Sequence, residues 1–106
     1  MNSSAKRKAR RRSSVTFSGE VTVLDDGNSL ASMLAELWKD EGPPTDWGGT
    51  LRPADDSFVP IDPGEYVIRL ADGSEGRLIV ERTTMSASDG AIRQELRVLG
   101  EGEPPF

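Results

Sequence analysis

The clearest pattern in the chain is an alternation of apolar and polar residues over positions 14–23. One face of this segment is apolar and carries Val15, Phe17, Val21 and Val23. Alternation with a period of two predicts a β-strand that is half buried. Gly19 falls in phase with the apolar face, where a missing side chain favours a bend or a close approach by another strand, as at a barrel corner.

The next segment has the spacing of an amphipathic helix. Its apolar residues follow at i, i+3, i+4, i+7 and i+8, and they are Leu30, Met33, Leu34, Leu37 and Trp38. Such a stripe predicts a helix that packs one face against the core. Asn28 or Ser29 can cap its N-terminus, and Gly42 followed by two prolines can end it.

The second half of the chain predicts a β-meander. Residues 65–70 and 77–82 alternate in polarity, and Asp72-Gly73 between them is a strong hairpin signal. A polar loop then runs from Thr83 to Gly90, and a last strand passes through Ile92, Leu96 and Val98. The proline-rich residues 43–64 leave room only for short extended pieces, at about 50–52 and 58–61.

These elements predict a mainly β (α+β) fold. We expect a small open antiparallel barrel or curled sheet of four to six strands, with one amphipathic helix packed on it after the first strand. SH3-like and OB-like barrels have this scale and strand count. We divide the chain into a disordered basic arm (1–13), one small β-rich domain (14–100) and a polar C-terminal tail (101–106).

Composition narrows the chemistry. The 106 residues include no cysteine and no histidine, which removes thiolate nucleophiles, zinc–thiolate sites and the commonest general base. Paired acids such as Asp25-Asp26 do not follow the spacing of a calcium-binding loop. We therefore expect no catalytic residue, no metal site, no cofactor and no enzyme. No segment predicts a membrane span or a secretory signal, so we expect a cytoplasmic protein.

Charge divides the chain into two unlike parts. The arm holds six cations and no anion: Lys6, Arg7, Lys8, Arg10, Arg11 and Arg12. The remaining seven basic residues face all 18 acidic ones, so residues 13–106 carry a net charge of −11. The arm suits an anionic surface such as nucleic acid. It can equally serve as a solubilising terminus, as a targeting signal, or as a ligand of its own acidic domain.

One further candidate site is Trp47 with Gly48 and Gly49. The glycines would let a partner backbone approach closely, so these residues are a candidate partner contact. The alternative is that Trp47 covers a small core.

Two functions follow from these observations. The first is a small interaction or regulatory module of an intracellular, bacterial protein set, whose partner is another protein. The second is a nucleic-acid-associated protein that binds through the basic arm.

Overall fold

Six antiparallel strands close into a barrel in the computed structural model, which describes residues 15–40, 46–55, 58–88 and 90–106. The strands are β1 (Val15–Asp25), β2 (Asn28–Lys39), β3 (Trp47–Pro53), β4 (Gly64–Arg69), β5 (Glu75–Ser88) and β6 (Ala91–Glu101). They follow one another around the barrel in the order β1-β2-β3-β6-β5-β4. The mainly β prediction is confirmed, whereas the expected open barrel or curled sheet is wrong because the sheet closes on itself.

The predicted helix over positions 28–38 is also wrong, because this segment is strand β2. Asp26 and Gly27 both have positive φ, at 57° and 82°, and form a two-residue turn that pairs Asp25 with Asn28. This is the geometry of a tight β-hairpin, for which Asp-Gly is a preferred sequence. The described residues contain no helix, and therefore none that could cross a membrane.

The side chains of β2 alternate as a strand requires. Met33, Ala35 and Leu37 point into the barrel and are at most 2% exposed. Leu34 and Trp38 lie on the opposite, outer face and are only half-buried. Some inward positions are alanines, which weakens the alternation that would predict a strand. The larger outward residues then combine with the inward ones into the spacing of a helical stripe.

Two non-local seams close the barrel. β3 pairs with β6 through four residue pairs, from Gly48↔Leu99 to Leu51↔Leu96. β1 pairs with β4 through only three, centred on Val23↔Ile68. The interior is filled by apolar side chains, as expected for a barrel this narrow. The largest fully buried ones are Trp47, Met33, Leu51, Ile68, Leu78 and Leu96.

Trp47 and the C-terminal residues fill one end of the barrel. The indole of Trp47 is 1% exposed, donates a hydrogen bond from Nε1 to the Gly102 carbonyl oxygen at 3.1 Å, and meets the Phe106 ring edge-on. Phe106 also packs on Phe17, with ring centroids 5.8 Å apart, and its carbonyl oxygen accepts a hydrogen bond from Lys39. Residues 102–106 are thus part of the packing at this end.

The chain between β3 and β4 covers the other end. Gln94 is 4% exposed and binds the backbone of Val59 twice: Oε1 accepts from its N–H at 2.8 Å, and Nε2 donates to its carbonyl at 2.7 Å. Ile61 is buried beside this contact. The expected extended piece at 58–61 is therefore held by a side chain and is not part of the sheet.

The β5–β6 hairpin is longer than the sequence predicts. Positions 83–88, expected as a loop, continue β5 and pair with β6 up to Ser88↔Ala91. The sequence signal is weak here because residues 84–87 of β5 are all exposed, so no alternation of buried apolar residues marks this part of the strand.

Substitutions on β2 distinguish the strand from the predicted helix. Met33→Ala should lower the free energy of unfolding by about 2–5 kcal/mol, because it removes a fully buried side chain. Leu34→Ala should cost under about 1 kcal/mol, since Leu34 lies on the outer face. Urea unfolding of both variants measures the difference. Equal costs would contradict the strand, because a helix places both residues on one buried stripe.

Gly100→Ala tests the packing around Trp47. A Cβ atom at position 100 would lie 2.0 Å from the indole, so we expect a loss of about 3 kcal/mol from overpacking. Leu99→Ala, at the neighbouring position, is the control. The Leu99 side chain is 42% exposed, so its truncation should cost under about 1 kcal/mol. A Gly100→Ala variant as stable as the control would show that Trp47 is packed elsewhere.

Candidate functional site

The outer face of β2 carries apolar side chains that the core does not use. Leu34 and Trp38 share this face, and Leu30 is exposed nearby at the register shift between β1 and β2; we call these three residues the outer stripe. Leu30 is 45% exposed, while Leu34 and Trp38 are half-buried. Ser32 and Glu36 alternate with them along the outer face of β2, and the large apolar side chains among these polar positions identify a candidate contact surface.

A groove adjoins the outer stripe at Trp38. Cross-strand pairing brings Thr16, Trp38, Gly48 and Leu99 into one row on four neighbouring strands. Gly48 has no side chain, and a Cβ atom there would lie 3.3 Å from the Trp38 ring, so the indole leans over this gap. The depression beside this row has a volume of about 530 Å³, and we call it the outer groove.

The lining of the outer groove combines apolar, hydroxyl and charged groups. Leu99, which is 42% exposed, and Trp38 form the apolar part. Charges of both signs stand at the rim on Glu36, Glu81 and Arg97. Hydroxyl side chains complete the lining at Thr16, Ser18 and Thr50.

Local structure positions two of the three rim charges. The ladder between β5 and β6 shifts register between Val80 and Arg82, and Glu81 is the residue left without a ladder partner at this bulge. Glu36 lies 3.8 Å from Arg52, with both side chains substantially exposed, so the pair contributes little to stability. Both carboxylates therefore remain accessible to a ligand.

The residues singled out as a candidate partner contact lie mainly inside the barrel. Trp47 is in the core at 1% exposure, in agreement with the alternative that it covers the core. A Cβ atom at Gly49 would lie 2.0 Å from the Glu36 carbonyl oxygen, and one at Gly48 would lie 2.8 Å from that of Val98. The backbones that approach these glycines closely are those of the neighbouring strands.

The six cations of the arm lie outside the described residues, so the structure does not place them. The arm nevertheless joins the barrel at β1, and Thr16 near the start of β1 lines the outer groove.

No arrangement typical of catalysis is found in the described part of the chain. It holds no cluster of three or more carboxylates that could bind a metal ion. Burial, with the nearby carboxylates of Asp25 and Asp62, raises the pKa of Tyr66, whose hydroxyl donates to the Asp62 carbonyl. Hydrogen bonding from Ser74 lowers the pKa of Asp72 in the β4–β5 turn. The raised pKa of Tyr66 comes from burial and nearby negative charge, against the effect of its own hydrogen bond, whereas the lowered pKa of Asp72 comes from hydrogen bonding within the turn.

Comparison with known proteins finds no match to a protein-family model, to a curated protein or to a solved structure. The class that the geometry defines is a closed, six-stranded antiparallel β-barrel with a filled interior. Its outer groove is the candidate site. Sequence reasoning missed this site because Trp38 and Leu34 were assigned to a buried helix face. The signal that could have found it is the Asp26-Gly27 hairpin turn, which makes the following segment a strand and so places positions 34 and 38 on one outer face.

Proposed function

We propose that this protein is an interaction module that binds a segment of another protein in the outer groove and along the outer stripe. The observation that carries the proposal is the outward position of Trp38, with Leu34 on the same face of β2 and Leu30 exposed nearby. The barrel interior is already filled by other side chains, so these residues are not needed to complete the core.

The composition of the groove fits protein recognition. Tryptophan is enriched among the residues that contribute most to protein–protein binding energy, because it buries a large rigid surface. Trp38 and Leu99 give an apolar centre, and Glu36, Glu81 and Arg97 surround it with charges. An apolar centre with a polar rim is the usual composition of an interface.

The mode of binding follows from the strand pairing. β2 is paired with β1 and β3 throughout residues 33–39, so its backbone groups there are used within the barrel. A partner therefore contacts side chains and does not add a strand at this place. We expect it to place an apolar side chain between Trp38 and Leu99, with its polar groups near Thr16 and Thr50.

A matched pair of variants on β6 tests this proposal. Leu99→Glu puts a carboxylate into the groove, whereas Ile92→Glu makes the same change at a 63% exposed position away from it. Immobilised full-length chain is used to capture proteins from nuclease-treated lysate, and retained proteins are quantified by mass spectrometry. We expect specific proteins to be retained by wild type and Ile92→Glu, and reduced at least about tenfold by Leu99→Glu. Equal retention by both variants would contradict a role for the groove.

Nucleic-acid association is the second candidate function, and it is favoured by the charge division of the chain. Six of the 13 basic residues lie within residues 6–12, and residues 13–106 carry −11. The arm would supply electrostatic affinity, while the acidic barrel limits it by repulsion. On the barrel itself, Arg97 pairs with Arg82 across the β5–β6 ladder, and the carboxylates of Glu36 and Glu81 line the same groove.

Salt dependence tests the second candidate. Binding through the arm should depend little on base sequence, and six cations limit the slope of log K against log salt concentration to about −5 on duplex DNA. Removing residues 1–12 should abolish binding, as measured by fluorescence anisotropy with labelled duplexes. Sequence-specific binding that persists without these residues and at high salt would contradict an arm-based mode.

A further inference from the structure

The β5–β6 hairpin has an open edge on β5. β4 pairs with β5 only through residues 75–80, whereas β6 pairs with it as far as Ser88. From Arg82 onward, β5 therefore has a ladder partner on one side only within the described chain, although the Thr83 hydroxyl donates a hydrogen bond to the Ile61 carbonyl oxygen at 3.4 Å. A free edge presents unpaired N–H and C=O groups, to which another strand can add.

The sequence of this edge lacks the usual protection against pairing. Natural edge strands are commonly blocked by charged residues or proline. Residues 83–87 read Thr-Thr-Met-Ser-Ala, and they contain no charge, proline or glycine. The corresponding free part of β6 carries Arg93 and Glu95, so protection is present on one strand of the hairpin and absent on the other.

Exposed apolar side chains accompany the open edge. Met85 pairs with Gln94 across the hairpin, on the face that continues the barrel interior, and is 46% exposed. Ile92 is 63% exposed and lies on the same face, opposite Ala87. A strand added at the β5 edge would extend this face and cover part of Met85.

We propose that the β5 edge pairs with the same edge of a second copy of this chain. We choose a second copy as the partner because residues 83–87 carry no charge and have small residues at equal distances on either side of Met85. In antiparallel pairing about a two-fold axis at this residue, Met85 faces Met85 of the other copy, and Thr84 faces Ser86. Each chain carries a net charge of −5, and a contact through the uncharged residues 83–87 adds no like-charge repulsion at the interface.

The geometry of such a pair is a continuous sheet across the dimer. Five residues extend about 17 Å, and the contact adds backbone hydrogen bonds to the burial of the two Met85 side chains. An interface this short is at the small end of specific contacts, so the dimer should form reversibly with concentration. It leaves the outer groove free, because Trp38 and Leu99 lie elsewhere on the barrel.

Opposite charges placed at position 85 test the proposal. Sedimentation velocity of the full chain, from low micromolar to high micromolar concentration, should show a reversible monomer–dimer equilibrium. Met85→Lys and Met85→Glu should each weaken association at least about tenfold, because like charges then face each other across the two-fold axis. An equimolar mixture of the two variants should restore the dimer, since lysine then faces glutamate.

The control is Ile92→Lys, which places the same charge on the apolar face away from the β5 edge and should retain the dimer. Leu99→Glu, in the outer groove, should also dimerise normally, which separates this proposal from the proposed function. Unfolding curves confirm that each variant is folded. A wild-type chain that stays monomeric would overturn the proposal. So would a dimer unaffected by Met85→Lys, a mixture that fails to associate, or equal disruption by Ile92→Lys.

Discussion

Closure of a narrow barrel is the constraint on which the rest of the structure depends. Six strands enclose a narrow interior, which successive layers of side chains fill. At the end that holds Trp47, this space is made by glycines on the inner face. Side chains at Gly100 and Gly76 would collide with the indole of Trp47 and with Pro105. The ring of Phe17 in turn occupies the space beside Gly19.

This constraint determines where binding can occur. Because apolar side chains fill the interior, the proposed partner contacts the outside of the barrel. Closure also pairs most strand edges, so recognition on β2 has to use side chains, notably Trp38 and Leu34. The β5–β6 hairpin is different, because it extends past the barrel and keeps an open edge. The two proposed surfaces thus follow from the same geometry.

Local patterns in the sequence predict those parts of the fold that local physics determines. The alternation of Val21 and Val23 gives β1, and Asp72-Gly73 gives the hairpin between β4 and β5, where Leu70 and Ser74 close the turn by a backbone hydrogen bond of 2.8 Å. The spacing of Leu34 and Trp38 on the outer face of β2, together with Met33 and Leu37 on its inner face, imitates a helical stripe. The Asp26-Gly27 turn precedes that stripe, and its hairpin tendency is the signal that favours a strand over a helix.

Non-local contacts could not be predicted from the sequence pattern. The pairing of β3 with β6 and of β1 with β4 joins segments far apart in the chain, and neither seam has a local signature. The contact of Phe106 with Phe17 and Trp47 is of the same kind. The candidate site could not be predicted either. Residues from five strands line the outer groove, so the pattern of any single segment does not indicate it.

Backbone NMR of the full-length chain tests the closed barrel and the strand β2 most directly. The structure predicts strand-type ¹³Cα chemical shifts over residues 30–38. It also predicts nuclear Overhauser contacts across the narrow seam between Val23 and Ile68 and between Leu24 and Val67. Helical shifts over residues 30–38 would contradict the outward position of Trp38 and, with it, the proposed groove. Strand-type shifts without contacts across the β1–β4 seam would show an open sheet.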